Sequence, residues 1–340
     1  MPQYRIYYAV QSIGFAKMGT TTYTMAKGVQ SVGINTRFNL ENIFEIGQIE
    51  VYELVENIPD IEVTAEKVLD GYPPLYLLAT NGSTTATLSG RANTRTIMGL
   101  SIYSDSQDSA SGTPLSQCQM SGLYVSAVNY TLPTQGNCTE SITLVGNNKV
   151  WNQAFTAGAF ANTDSPLAIT GSGGVNRRED VLFGEQAGVV SKLPQDIPGI
   201  SSSGYNPWST TLQEFGASIS SCRVSCNLGR EQLFELGRRG PFYRYVSFPV
   251  EVKCDFEVNT RSGDFTTALE NASSNVTDRT IYLALREGLK LDLGSKNKLA
   301  SVTYGGANAG TQGGNATVTY SYTNYNSLKV THPQDPSGLS

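Results

Sequence analysis

The chain has little charge, a single histidine and no long apolar run. Only 16% of its 340 residues are charged, and the net charge is -5. A protein that grips nucleic acid carries a basic surface, so this balance excludes tight binding but allows passive contact with DNA. No apolar run reaches the roughly 18 residues of a membrane-spanning helix. The segment from Met1 to Tyr8 also lacks the apolar core of a signal peptide. We therefore expect neither membrane insertion nor export.

The scarcity of histidine also bears on catalysis. His332 is the only one, which argues against a histidine base, triad or metal cluster. The glycine run at 171–174 lacks the lysine of a phosphate-binding loop. The acids at 62 and 66, and at 255 and 257, alternate along strands as those of a solvated face do. We expect no enzymatic activity and no cofactor or metal; a carboxylate hydrolase is the catalytic alternative.

The five cysteines are odd in number and lack the paired spacing of a zinc site. Cys222 and Cys226 fall on one face of a predicted strand. They match two apolar residues, Ile34 and Phe38, in the repeat described next. We expect buried thiols in a reducing compartment, with disulfides or metal binding as the alternative.

The same pattern occurs twice along the chain. A segment at 39–47 with the core Phe-Glu-Ile-Gly leads to Ile-Pro and an alternating strand, and 227–237 with Phe-Glu-Leu-Gly leads to Phe-Pro and another. Two shorter collinear pairs extend the match: Arg95–Ile97 with Arg279–Ile281, and Thr134–Thr139 with Thr311–Thr317. Collinear matches of this kind predict two homologous domains.

The elements predicted within each domain are mostly strands. Gly, Ser, Thr, Asn and Tyr are abundant, and apolar and polar residues alternate over 32–38, 61–66 and 250–258. Short helices are predicted at 73–80 and 264–272. The predicted organisation is a first β domain at 1–153, a Gly/Ser/Pro-rich linker or insertion at 154–204 with room for a small ordered element around 180–183, a second β domain at 205–330, and a disordered tail at 331–340.

The repeated element resembles that of bacteriophage tail tube proteins. The resemblance is carried by a strand, a long excursion with the Phe-Glu-Ile/Leu-Gly core, Ile/Phe-Pro, and a Val-Glu-Val-type strand, over 29–80 and 217–272. It implies a mainly β fold of two tail-tube-type β-sandwich or barrel domains, each with a long projecting hairpin loop and a short α-helix. Two copies in one chain, and the segment 154–204, depart from the minimal family fold.

The resemblance also implies an assembly. Family rings present six equivalent domains around a lumen, so three two-domain chains would form a pseudo-sixfold ring that stacks into a DNA-conducting tube. The rival arrangement is one tube domain and one decorating domain per chain, with six chains per ring. Expected partners are the chain itself, other tail proteins (sheath or terminator, baseplate or tip) and passing DNA that is not bound specifically. The expected location is the virion tail, after assembly in the host cytoplasm.

Two sets of residues are assigned roles by this resemblance. The excursions would stack on adjacent rings, one acidic and one rich in arginine, with apolar residues providing the buried contact. The stacking set is Glu41, Ile43, Phe44, Glu45, Ile46, Glu50, Glu53, Glu56, Arg230, Leu233, Phe234, Leu236, Arg238, Arg239 and Arg244. The lumen-facing set is Glu62, Thr64, Glu66, Glu251, Lys253, Asp255 and Glu257. The alternative function is another virion β protein: a head-tail connector, a tail terminator or a receptor-binding module.

Overall fold

A computed structural model describes most of the chain. The described residues are 6–20, 23–80, 85–104, 114–152, 174–182, 191–198, 200, 218–260, 263–264, 266–270, 276–306 and 315–333. Phe183 of the small element predicted around 180–183, and residues 205–217 at the start of the predicted second domain, lie outside these residues.

The protein is mainly β, as the alternating sequence predicts. Its first half contains β1 (Gln11–Lys17), β2 (Thr24–Met25), β3 (Val29–Arg37), β4 (Leu40–Phe44), β5 (Val51–Glu56), β6 (Asp60–Val68), α1 (Leu75–Ala79), β7 (Thr85–Thr87), α2 (Leu88–Arg91), β8 (Thr96–Ile102), β9 (Ser116–Pro133), β10 (Thr139–Gly146) and β11 (Asn148–Asn152). Its second half contains β12 (Ser218–Asn227), β13 (Arg230–Leu233), β14 (Tyr243–Val246), β15 (Glu251–Asn259), β16 (Tyr282–Ala284), β17 (Lys290–Asp292), β18 (Lys298–Gly305), β19 (Thr317–Tyr325) and β20 (Lys329–Thr331).

One antiparallel sheet runs through both halves. Its strand order is β18-β19-β15-β12-β9-β10-β6-β3. Inward-facing positions along these strands are buried and apolar, as at Val63, Val224 and Phe256, and they belong to one continuous core. Because side chains alternate between the two faces of a strand, the opposite face is left polar.

The long strand β9 connects this sheet to a second layer. Its first part pairs with β8 and β11, and its second part pairs with β10 and β12. Gly122 is the unpaired residue of a bulge between the two parts, with φ +72°, a conformation that glycine adopts without strain. The bulge lets one strand bend from one layer into the other.

The two halves repeat the same pairing register. Hairpin β4–β5 pairs Ile43 with Glu53, and hairpin β13–β14 pairs Leu233 with Tyr243 at the corresponding position. Bulges also recur at matching places: β3 and β12 each skip one residue near the start of the strand, and β9 and β18 each skip one residue against the next strand of the sheet. Residues at the same register position in the two halves are called counterparts below.

The segment between the halves is partly ordered by pairing with the second half. Leu182 donates its N–H to the carbonyl of Ala284, and Lys192 exchanges backbone hydrogen bonds with Tyr282. Asp180 lies 3.2 Å from Arg286 in an ion pair. The small ordered element predicted near residue 180 is therefore present, with a 3₁₀ turn at Arg178–Asp180.

Two predictions of local structure are wrong. The described residues 263–264 and 266–270 form no helix, whereas the helix predicted at 73–80 is present as α1. The predicted tail begins too early, because Thr331 ends β20 and His332 is buried. Strand β20 is held between β17 and β7, so the chain is still ordered at Thr331, where the tail was predicted to begin.

Candidate assembly surfaces

The two halves meet at the pairing of β9 with β12. Cys226 lies opposite Val128, and Val224 lies opposite Tyr130, all four facing the core. Ser225 lies opposite Asn129 on the polar face. The joint is thus a regular antiparallel ladder between the last strand of one four-stranded half-sheet and the first strand of the next.

Hairpin β13–β14 leaves this joint and packs on the first half through Arg230. The guanidinium donates to the carbonyl of Val125 at 2.8 Å and also to the carbonyl of Ala92. It lies over the ring of Tyr124, with 5.2 Å to the centroid. Burial lowers the pKa of Arg230 to about 10, so it remains charged at neutral pH.

Two further hairpin residues complete this contact. The ring of Tyr243 meets that of Tyr124 edge-on at 5.5 Å, and its hydroxyl donates to the carbonyl of Asn93 at 2.8 Å. Arg244, only 6% exposed, donates to Asp60 at 3.0 Å and to Asn147 at 3.1 Å. Burial acts to raise the pKa of Asp60, but hydrogen bonds from Asn39 and Arg244 outweigh it, and the pKa is lowered.

Hairpin β4–β5, the counterpart of β13–β14, is exposed along almost its whole length. Its strands carry Leu40, Val51, Tyr52 and Leu54, each more than two-fifths exposed. A monomer rarely exposes so many neighbouring apolar side chains, and such patches mark interaction sites. Hairpin β4–β5, which follows β3, therefore lacks the contact that its counterpart makes within the chain.

The two outer strands of the sheet are also unpaired on one side. Within the described residues, β3 pairs only with β6, and β18 pairs only with β19. Apolar side chains line both edges: Val32 and Ile34 are half-buried, Val302 is half-buried, and Tyr304 is 53% exposed. An open edge with apolar side chains is a template for pairing with another chain.

The predicted stacking residues divide into two groups in the structure. Arg230 and Arg244 are held inside the chain by the contacts above, so they are not free to meet another ring. The residues at the hairpin turns project outward, and Ile46 and Leu236 are fully exposed. Arg238 forms a 3.4 Å ion pair with Glu235, and Arg239 donates to the carbonyl of Glu56 at 3.3 Å.

The predicted lumen-facing residues share the polar face of the sheet. Glu62, Thr64 and Glu66 are exposed on β6 between buried neighbours. On β15, Lys253 is exposed, while Glu251, Asp255 and Glu257 are half-buried. Hydroxyl side chains of β10 and β19 continue the same face, so it is polar and bears few charges: Ser141, Thr143, Thr317, Thr319, Ser321 and Thr323.

A buried charged cluster lies on the opposite face, and sequence reasoning missed it. Glu140 accepts hydrogen bonds from the backbone N–H of Leu75 and Tyr76 at the start of α1, and from the Tyr130 hydroxyl at 2.9 Å. Its cross-strand partner is Lys67, whose ammonium lies 2.6 Å from Asp70. The signal was available, because Lys67 continues the inward series of Ile61, Val63 and Ala65.

The pKa shifts of this cluster reflect its burial. Burial lowers the pKa of Lys67, and the charges of Asp70 and Glu140 only partly oppose that effect. Burial raises the pKa of Glu140 in spite of its three hydrogen bonds. The cluster satisfies the free N–H groups at the start of a five-residue helix and holds α1 against the sheet.

The cysteines are buried and free in the structure, as predicted. In the part of the chain that the structure describes, no group of three or more His, Cys, Asp or Glu side chains could hold a metal ion. The helices found in the described residues are also too short to cross a membrane.

Comparisons with known proteins give neighbours of fold only. No protein-family model and no curated protein matches the chain. The anti-feeding prophage baseplate, 6-fold symmetrised, is 9% identical over 44% of this chain and 97% of that chain, with a TM-score of 0.33. The anti-feeding prophage tube terminating cap is 12% identical over 45% of this chain and 95% of that chain, with a TM-score of 0.34. The sheath-tube complex of an extracellular contractile injection system (PVC) gives the same values. These neighbours are parts of contractile injection systems, and likeness at this level defines no function for this chain.

Proposed function

We propose that the chain is a structural subunit of a phage tail or tail-like particle, and that it forms the tail tube as an internally duplicated protein. The particle we propose is of the same kind as the injection systems named above. Each half of the chain would supply one of the six positions in a ring, so that three chains close it. The observation that carries this proposal is the β9–β12 ladder, because it pairs the last strand of one repeat with the first strand of the next.

The same ladder specifies how one chain would join another. Strand β18 is the counterpart of β9, and β3 is the counterpart of β12, and both present open edges. Transfer of the internal register places Val302 opposite Thr36 and Tyr304 opposite Ile34 of the next chain. These pairs copy Val128 with Cys226 and Tyr130 with Val224. The joint would bury the exposed ring of Tyr304 and satisfy the free backbone groups of both edges.

Closure of the ring makes the polar face of the sheet the wall of the lumen in this proposal. That face is acidic on balance, with Glu62, Glu66, Glu251, Asp255 and Glu257 against Lys253 and Arg223, among hydroxyl side chains. Acidic groups repel the phosphates of DNA, and neutral hydroxyls offer no counterion release, so DNA would slide without binding. The outward-projecting hairpin turns, with Ile46 and Leu236 at their tips, would contact the adjacent ring.

A disulfide across the proposed joint tests both the register and the number of chains. Asn35 and Thr303 are exposed and would lie opposite each other, as Ser225 and Asn129 do in the internal ladder. The double variant Asn35→Cys/Thr303→Cys should form disulfides on mild oxidation, because directly opposed strand residues come within disulfide reach. The native thiols are buried and should not interfere.

The terminal product decides the outcome. Three chains per ring predict a covalent trimer as the largest species on a non-reducing denaturing gel. A ladder that continues to six chains would contradict the trimeric ring. Absence of any cross-link in assembled protein would contradict the joint itself, as expected for a connector, terminator or receptor-binding module. Glu66→Cys/Thr303→Cys is the matched control, because the register separates these positions along the sheet and no cross-link should form.

A further inference from the structure

We propose that hairpin β4–β5 docks on the second half of the neighbouring chain in the same ring, beside the open edge of β18. This inference rests on the proposed function, since it takes the neighbour to be a second copy of this chain. It assigns the strands of the hairpin to a lateral contact and leaves only the turn at Glu45–Glu50 for the adjacent ring.

Hairpin β13–β14, the counterpart of β4–β5, is already docked within the chain. Within the chain, β13–β14 packs on the half whose β9 pairs with β12, through Arg230, Tyr243 and Arg244. If β3 pairs with β18 of a neighbour, β4–β5 is brought to the same place on that neighbour. Hairpin β4–β5 has the same pairing register as β13–β14, so each of its residues has a known counterpart in the docked contact.

At the first matched pair of positions, the internal contact is aromatic and the proposed contact between chains is charged. Tyr243 meets Tyr124 ring to ring at 5.5 Å. The counterpart of Tyr243 is Glu53, and the counterpart of Tyr124 is Lys298. Both sides of the contact have therefore changed together, from two rings to an acid and a base. Lys298 is largely exposed, and its one ion pair, with Asp278 at 3.8 Å, is on the surface and weak.

The second matched pair exchanges a polar contact for an apolar one. Arg244 donates to Asn147 at 3.1 Å. The counterpart of Arg244 is Leu54, 57% exposed, and the counterpart of Asn147 is Tyr325, 61% exposed. Again both sides have changed in a compatible way, because a leucine and a tyrosine ring can bury each other. Two complementary exchanges in a single transferred register would be unusual for surfaces that never meet.

The proposed contact of β4–β5 between chains differs in chemistry from the contact of β13–β14 within the chain, so each hairpin would fit one half of the chain better than the other. Arginines in β13–β14 fit polar groups of the first half, whereas the acidic and apolar β4–β5 fits Lys298 and Tyr325 of the second half. Hairpin β4–β5 would therefore be disfavoured on the first half, where Leu54 would take the place of Arg244 and leave Asp60 without its partner. This would enforce alternation of first and second halves around the ring.

Charge reversal tests the docking. Glu53→Lys should slow ring formation by about tenfold at low ionic strength, and the effect should shrink in high salt, because it removes an attraction and adds a repulsion across the joint. Lys298→Glu should do the same, and Glu53→Lys/Lys298→Glu should restore most of the rate. Glu231→Lys is the matched control: it makes the same charge change at an exposed position of the hairpin that is already docked within the chain.

The outcomes separate this inference from the proposed function. Failure of the double reversal to restore assembly, or equal slowing by Glu231→Lys, would overturn the pairing of Glu53 with Lys298. A second measurement is Glu53→Cys/Lys298→Cys, whose thiols a short bifunctional maleimide should join between chains within assembled rings, because two tyrosine rings span these positions in the internal contact, a longer reach than that of a disulfide. If Asn35→Cys/Thr303→Cys cross-links and this pair does not, the ring stands and the hairpin contact falls. If neither cross-links, the ring itself is wrong.

Discussion

At the residue scale, the cysteines are small, buried core residues. Burial raises the pKa of Cys226 to about 12, and burial with the nearby charge of Asp180 raises that of Cys138 to about 12. The sequence predicted their burial from a match of Cys222 and Cys226 to Ile34 and Phe38. The pairing register makes Val32 and Thr36 the counterparts instead, so the conclusion held on a shifted alignment.

Thiol chemistry checks this description. A thiolate-selective reagent at pH 8 should leave the native cysteines unlabelled and label all five in denaturant, because only the thiolate reacts. The pKa values of Cys138 and Cys226 in the folded chain lie above the ordinary value of about 8.5. The contribution of these two neutral thiols to the free energy of unfolding is therefore complete below that pH and is lost as the pH rises toward 12. Asn35→Cys, an exposed position, should label rapidly in the folded chain. A native cysteine that reacts as fast as this control would contradict the structural role.

At the scale of elements, helix α1 depends on a residue from the sheet. Glu140 binds the N–H groups at its start, and its counterpart in the second half is Val318. The described residues 263–264 and 266–270, where the second helix was predicted, form none. Alternation in the sequence predicts the strands that carry Glu140 and Val318. It does not show that a carboxylate caps the first predicted helix and not the second, because the capping residue lies far from the helix in sequence.

The variant Glu140→Val transfers the second-half residue into the first half. It should destabilise the chain by about 3 kcal/mol, since it leaves Lys67 and the first N–H groups of α1 buried with fewer partners. Urea unfolding followed by tryptophan fluorescence measures the loss. Glu66→Val, on the exposed face one residue from Lys67, is the control and should change the free energy of unfolding by less than about 0.5 kcal/mol. Equal effects of the two variants would contradict the capping role.

At the scale of the whole molecule, some features of the fold are predictable from the sequence and others depend on contacts between distant segments. Alternation in the sequence was enough to predict the strands and the polar face, because these follow from local periodicity, whereas the two projecting hairpins were implied only by the family resemblance. The contact of Arg230, Tyr243 and Arg244 with the first half was not predictable, since the receiving residues Asn93 and Asn147 carry no local pattern. The family resemblance assigned Arg230 and Arg244 to ring stacking, and only the fold places them inside the chain.

In the proposed ring, the same contact is the template for the joint between chains. The joint between halves forms once within the chain. The elements that would form it between chains lie open at opposite edges of the sheet: β3 with hairpin β4–β5 at one edge, and β18 with Lys298 and Tyr325 at the other. A head-to-tail joint of this kind closes into a ring when the rotation between halves divides the circle evenly. The central claim is therefore that the joint between chains repeats the joint within the chain.

Electron cryo-microscopy of the assembled protein tests this claim most directly. The account predicts rings of three chains in which β18 of one chain pairs with β3 of the next, with Val302 opposite Thr36 and the polar face of the sheet toward the lumen. Rings of six chains, or a map in which β3 and β18 remain unpaired, would contradict it.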